Sequence, residues 1–219
     1  MILKIADYYS SDKGSCEYIE SLYYCGRTYH DLGDYPTAMK YYQDVLDLTS
    51  DKGEKNFLII RGNTLSVLTH ILSVTHLYED IIPYLMQLIE IDKKLGKDDY
   101  LVYDYIALGD AYFKLGKYID AEKWMLNAKE LAKGDYILSN LCDINIAGVK
   151  LYTNDSESAL KLLRPIVENN DSSVSSIALT NIMNAYHEKG VYDSAAMYAK
   201  RLVARADLTN KKNGYAILL

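Results

Sequence analysis

The side chains able to do chemistry are few and scattered. Histidine occurs four times and cysteine three times in 219 residues. His187 and Glu188 open like a zinc-protease motif, but the position four after His187 is Val191, so the second histidine is absent. His76 stands near Glu79 and Asp80. Their spacing is not that of a metal site, and solvated polar residues at a turn explain them. Cys16, Cys25 and Cys142 are odd in number and lack close ligand spacing, which reads as free thiols in packed helices. No glycine-rich phosphate loop or calcium loop occurs. Serine, histidine and aspartate are all present, but a catalytic triad is a geometry and not a composition. The expectation is therefore no catalytic residue, no metal, no cofactor and no enzymatic activity, because activity has to be argued from a site.

Composition narrows the class further. Apolar residues make up 49% and charged residues 25%, as in an ordinary globular domain, and the length suffices to bury a core. Three prolines in the whole chain point to long helices. The net charge of −6, with cations interspersed among acids, speaks against a nucleic-acid partner. No run approaches 18–20 uncharged apolar residues, so no membrane span is expected, and the first residues lack the apolar core of a signal peptide. Tyrosine is the anomaly: 22 copies, against two phenylalanines and one tryptophan.

Internal repetition organises these residues. The segment CGRTYHDLGDYPTAMKYYQDVLDL (25–48) aligns with LGDAYFKLGKYIDAEKWMLNAKEL (108–131). Gly26 pairs with Gly109, Tyr29 with Tyr112, Gly33 with Gly116, Tyr35 with Tyr118 and Ala38 with Ala121. A third copy, IMNAYHEKGVYDSAAMYAKRL (182–202), keeps Tyr186, Gly190, Tyr192 and Ala195 but has Met183 in the small slot. Two weaker copies fill the gaps. One carries Leu65, Leu68, Leu72, Tyr78, Ile81 and Leu85, with Thr69 where glycine is wanted. The other has Ala147, Ala159 and Leu163, and no glycine in its turn at 152–157.

These segments resemble the tetratricopeptide repeat, a helix–turn–helix unit of about 34 residues. The resemblance implies an all-α fold: a right-handed superhelical solenoid of antiparallel helix pairs. A single domain over 1–219 is expected, with repeats starting near 19, 62, 102, 140 and 176 and partial helices at the ends. Small residues let paired helices approach, turn glycines supply left-handed backbone, and tyrosines fill half-buried gaps, which accounts for most of their excess. Leu65, Leu68 and Leu72, then Ile81, Leu85, Leu88 and Ile89, show the helical period. Links are expected at 51–53, 96–99, 133–135, 169–173 and 210–214, with Tyr215 opening one more first helix. Ile2 to Tyr9 reads as the second helix of an earlier repeat. Neither end reads as a polar cap, so the chain is expected to be a segment of a longer protein.

In such arrays the first helices line a concave face. By this register the partner-facing residues are Tyr23, Arg27 and His30, then Asn63, Ser66 and His70, then Tyr103, Ile106, Asp110 and Phe113, and finally Thr180, Asn184 and His187. Relatives that clamp a C-terminal carboxylate use Lys and Asn at slots occupied here by Tyr23, Arg27, Ile106 and Asp110, so acidic tails are not the expected ligand. The expected function is a scaffold that binds a protein or peptide in this groove. The tyrosine-rich style also resembles repeat regions of Bacteroidetes-type regulators, which implies a sensory or regulatory segment as the alternative. The compartment would be cytoplasmic, or periplasmic for a trimmed sensor. Exposed stack ends would admit pairing with a second copy.

Overall fold

The computed structural model describes the backbone of residues 2–168 and 175–217, and the side chains of 6–168 and 176–205. Among them are eleven helices and no strand. They are α1 (Ile2–Tyr9), α2 (Cys16–Asp31), α3 (Tyr35–Leu48), α4 (Lys55–Val74), α5 (Tyr78–Leu95), α6 (Asp98–Lys114), α7 (Tyr118–Leu131), α8 (Tyr136–Tyr152), α9 (Ser156–Glu168), α10 (Ser175–Glu188) and α11 (Tyr192–Ile217).

Local chemistry starts and stops these helices. Ser15 caps α2 by accepting from the Tyr18 backbone N–H, and Asp34 and Asp135 do the same for Thr37 and Leu138. The short turns that precede α3, α5, α7, α9 and α11 each contain one left-handed residue: Gly33, His76, Gly116, Asn154 and Gly190, all with φ between 60° and 78°. The two copies without a turn glycine thus keep the same backbone with His76 and Asn154. Asparagine tolerates this conformation better than most residues. All three prolines lie in helices: Pro36 in the first turn of α3, where no backbone N–H is needed, and Pro83 and Pro165 inside α5 and α9.

The chain forms two compact units, Met1–Leu115 and Gly116–Leu219. In the first, each helix packs on the next from α1 to α6, and α2 also meets α4. Ile19, Leu22, Val45 and Ile60 form a buried cluster there, with Tyr18, Tyr23, Tyr41 and Phe57 packed around it. Gly26 is the close-approach point of α2 on α3. A Cβ at this position would stand 2.6 Å from Tyr42 Cε1, and Tyr42 is 0% exposed. A second close approach, at Gly62 on α4, meets Ile91 of α5; a Cβ there would lie 3.3 Å from Ile91 Cγ2. By length and composition α4 could cross a membrane, contrary to the sequence expectation. Its Ile60, Leu65, Leu68, Ile71 and Leu72 are instead buried within the helical array.

The seam between α5 and α6 contains charge. Asp92 is 3% exposed and Asp104 9% exposed. Lys97, in the link, places Nζ 3.5 Å from Asp92 Oδ1. Burial pushes the Asp104 carboxyl up to about 7; the charge of Asp92 and a hydrogen bond with it act in the same direction, and Lys97 opposes them. Across from Asp92 stands Gly62, whose missing side chain leaves room for the carboxylate.

In the second unit α7 packs on α8, α8 on α9 and α10, α9 on α10, and α10 on α11. Its core is aliphatic: Ile144, Ala147, Leu160, Leu163, Leu179 and Ile182 are buried together, with Tyr186 stacked on Tyr198 at 5.6 Å. The run 210–214, expected as a link, is part of α11. The run 210–214 has no proline; its two asparagines and one glycine weaken a helix by about 1 kcal/mol each or less, which does not force a break. Tyr215 accordingly continues α11 instead of opening a new helix, and the expected link at 169–173 lies outside the described residues.

Most tyrosines are half-buried, as the packing account requires, but Tyr8, Tyr24, Tyr100, Tyr103, Tyr136, Tyr152 and Tyr192 are exposed. Cys25 and Cys142 are buried free thiols and Cys16 is half-buried. Burial raises all three thiols, which makes them poor nucleophiles.

Candidate functional site

In the C-terminal half of α4, Ser66, Thr69, His70 and Ser73 recur at three and four residues among Leu65, Val67, Leu68, Ile71 and Leu72, so they form one polar stripe. That stripe forms one wall of a pocket of about 210 Å³. Tyr78, Ile81 and Leu85 of α5 contribute from a second side. Ala107, Asp110 and Ala111 of α6, again at helical spacing, complete it. Small residues on α6 are what leave the space open, because larger side chains at 107 and 111 would fill it.

The electrostatics of this pocket are simple. Asp110 is its one carboxylate, and neither lysine nor arginine lines it. Burial holds the Asp110 carboxyl above its usual range, with Lys114 pulling the other way. Lys114 does not close on Asp110; its Nζ sits 5.8 Å from the centroid of the Phe113 ring. At the rim, His76 Nδ1 and the Tyr78 hydroxyl are 2.7 Å apart.

The structure brings some of the expected residues together and separates others. Ser66, His70 and Asp110 share the pocket. The His30 ring meets His70 edge-on at 5.8 Å and leans on Tyr35 at 5.6 Å, so α2 and α4 present a histidine pair. His30 Nδ1 is buried without a hydrogen-bond partner, 3.8 Å from Asp31 Oδ1. Arg27 is exposed and donates to the Tyr23 hydroxyl at 3.4 Å. Tyr23 itself is half-buried against the first core cluster and the Tyr42 ring, so it supports the fold as much as the face. Asn63 is exposed, Tyr103 is 53% exposed, and Ile106 and Phe113 are half-buried. Thr180, half-buried, and the exposed Asn184 and His187 belong to α10 of the second unit, where His187 meets Tyr192 edge-on at 5.6 Å.

Thr69, Ser73, Ala107 and Ala111 escaped the sequence reading as pocket residues. Thr69 reads there as a poor substitute for glycine in a repeat slot. Its spacing from Ser66 and Ser73 was the available signal. Among the described residues no group of three or more His, Cys, Asp or Glu is arranged to hold a metal ion.

Comparison with known proteins is consistent with this architecture. Residues 21–55 and residues 105–135 each match a family model described as tetratricopeptide repeat. No curated protein matches the chain in sequence. Among solved structures, BtubC (BKLC) from P. vanneervenii is similar with a TM-score of 0.73 and 15% identity, over 95% of this chain and 88% of that one. MamA is similar with a TM-score of 0.63 and 19% identity, over 88% and 94%. A STAND signal-transduction ATPase with a tetratricopeptide-repeat sensor, from Pyrococcus horikoshii, gives a TM-score of 0.75 and 15% identity, over 89% of this chain and 31% of that one. At these identities the likeness shows the fold, a solenoid of tetratricopeptide-type helix pairs.

Proposed function

We propose that this chain, two stretches of which match the tetratricopeptide repeat, acts in protein interaction through a groove on the first helices that binds a peptide or an extended segment of a partner. The observation that carries this reading is the pocket between α4, α5 and α6. Its polar stripe of Ser66, Thr69, His70 and Ser73 stands beside an aliphatic floor, and that pairing suits a side chain from elsewhere. Arg27, Asn63 and His70 are exposed on the same set of first helices. A carboxylate-clamp specificity fits poorly, since Asp110 would repel an acidic terminus.

The test removes exposed groove groups and spares the core. Tyr23 is left in place because it packs on the first cluster. The triple variant Arg27→Ala, Asn63→Ala, His70→Ala is expected to melt within a few degrees of the wild type. It should lose a partner captured from source-cell extract by the wild-type chain, identified by mass spectrometry. A partner retained equally by both proteins would place the interaction elsewhere.

The similarity to the repeat sensor of a STAND protein favours a second reading, in which the array is the sensory or regulatory segment of a larger signalling protein. That reading uses the same groove. It differs in that the bound segment would alter the output of a joined domain, which an assay of the full-length gene product with and without the captured partner would detect.

A further inference from the structure

The pocket on α4, α5 and α6 has a charge signature that groove binding in general does not require. At about 210 Å³ it is smaller than the usual small-molecule cavity and suits a single long side chain. Its floor is aliphatic, from Ile81 and Leu85, and its walls present the hydroxyls of Ser66, Thr69 and Ser73. One carboxylate, Asp110, is set among them with no cation on the lining. The remaining titratable groups at the rim are His70, Tyr78 and, through Tyr78, His76. Lys114 follows one turn later on α6 and leans over Phe113. Asp110 is thus desolvated without a close ion pair, a costly arrangement that a visiting cation would relieve. The chain as a whole carries −6, so the long-range field also favours a basic partner.

We propose that this pocket receives a lysine or arginine side chain of the partner segment. The alkyl stem lies on Ile81 and Leu85, the Asp110 carboxylate accepts hydrogen bonds from the cationic head, and serine hydroxyls of α4 accept from its remaining N–H groups. This rests on the groove reading above and assigns its specificity: a basic peptide segment.

The experiment selects a displayed library of random linear peptides on the full chain and measures selected peptides by fluorescence anisotropy. Selected peptides are expected to share a Lys or Arg. Replacing that residue by norleucine, or Asp110→Asn in the protein, should weaken binding by roughly ten- to a hundredfold, the usual value of a hydrogen bond to a charged group. Added salt should shrink the difference. Ala107→Leu, at an exposed position on the pocket lining, should block the same peptides and serves if the Asp110 variant fails to fold. Peptides without a basic residue that are lost on Asn63→Ala or His70→Ala would overturn this inference and leave the groove reading standing. Basic peptides bound equally by Asp110→Asn and Ala107→Leu would also overturn it. Selection of no peptide would overturn both.

Discussion

Two helix seams of the first unit are closed by opposite means. Between α2 and α3 the contact is one of shape: Gly26 has no side chain, and the fully buried Tyr42 ring occupies the space. Between α5 and α6 the contact is one of charge: two buried carboxyls, Asp92 and Asp104, face each other, with Lys97 at 3.5 Å from the first. The shape seam should be indifferent to pH and intolerant of volume. The charge seam should tolerate an isosteric change and respond to pH. The same repeat architecture thus accommodates two kinds of fragility, because helix pairing demands a fit of the facing surfaces and leaves open whether shape or charge supplies the contact.

The largest effect should come from the charge seam. Asp104 has a folded pKa of about 7 against an ordinary value of 3.8. The folded state therefore holds its proton where the unfolded chain has released it. Its stabilisation is fully present below about pH 4 and is lost as pH rises through about 7. The span corresponds to on the order of 4 kcal/mol. Urea unfolding followed from pH 4 to pH 8 should show that decline in the wild type. Asp104→Asn, whose amide donates to Asp92 at any pH, should flatten it and be the more stable protein at pH 8. Parallel pH profiles for the two proteins would show that the two carboxyls do not share a proton.

Next in size is the shape seam. Gly26→Leu places a side chain into the Tyr42 ring and should cost about 1–3 kcal/mol or more, at every pH alike. An unchanged melting temperature would mean that α2 and α3 are not in the contact described. The smallest effect sharpens the contrast by its sign. Gly148, inside α8, would present a Cβ to open space, with no atom within 4 Å. Gly148→Ala should therefore gain up to about 1 kcal/mol from helix propensity alone. A loss on melting would reveal a close approach at Gly148 like that at Gly26.

Much of this fold is legible in the residues one stretch at a time. The aligned glycines, tyrosines and alanines mark the helix pairs because each governs its own turn or its immediate neighbour. Gly33 and Gly190 adopt the left-handed backbone that their place after a helix implies. The turns at His76 and Asn154 were harder to read, since no glycine signals them, yet they take the same φ. The polar run at 210–214 misled in the other direction: charge and asparagine suggest a link, but nothing in the run interrupts hydrogen bonding along α11. The candidate site divides in the same way. Arg27, Asn63, Ser66 and His70 are exposed, as their helical phase implies, and Asp110 is half-buried. Tyr23 and Phe113 could not be distinguished from them by phase alone, because half-burial depends on what the neighbouring helix places opposite.

By itself the sequence determined an all-α array of paired helices and most of the turns that join them. These follow from periodicity, caps and backbone preference, all of which act within about one or two helical turns. Tertiary packing alone decided that Ser66 and His70 share a pocket with Asp110, forty residues later on α6, and that Asp92 and Asp104 are buried against each other. Desolvation and Coulomb interaction act through space, and only the packing of α4, α5 and α6 sets those distances.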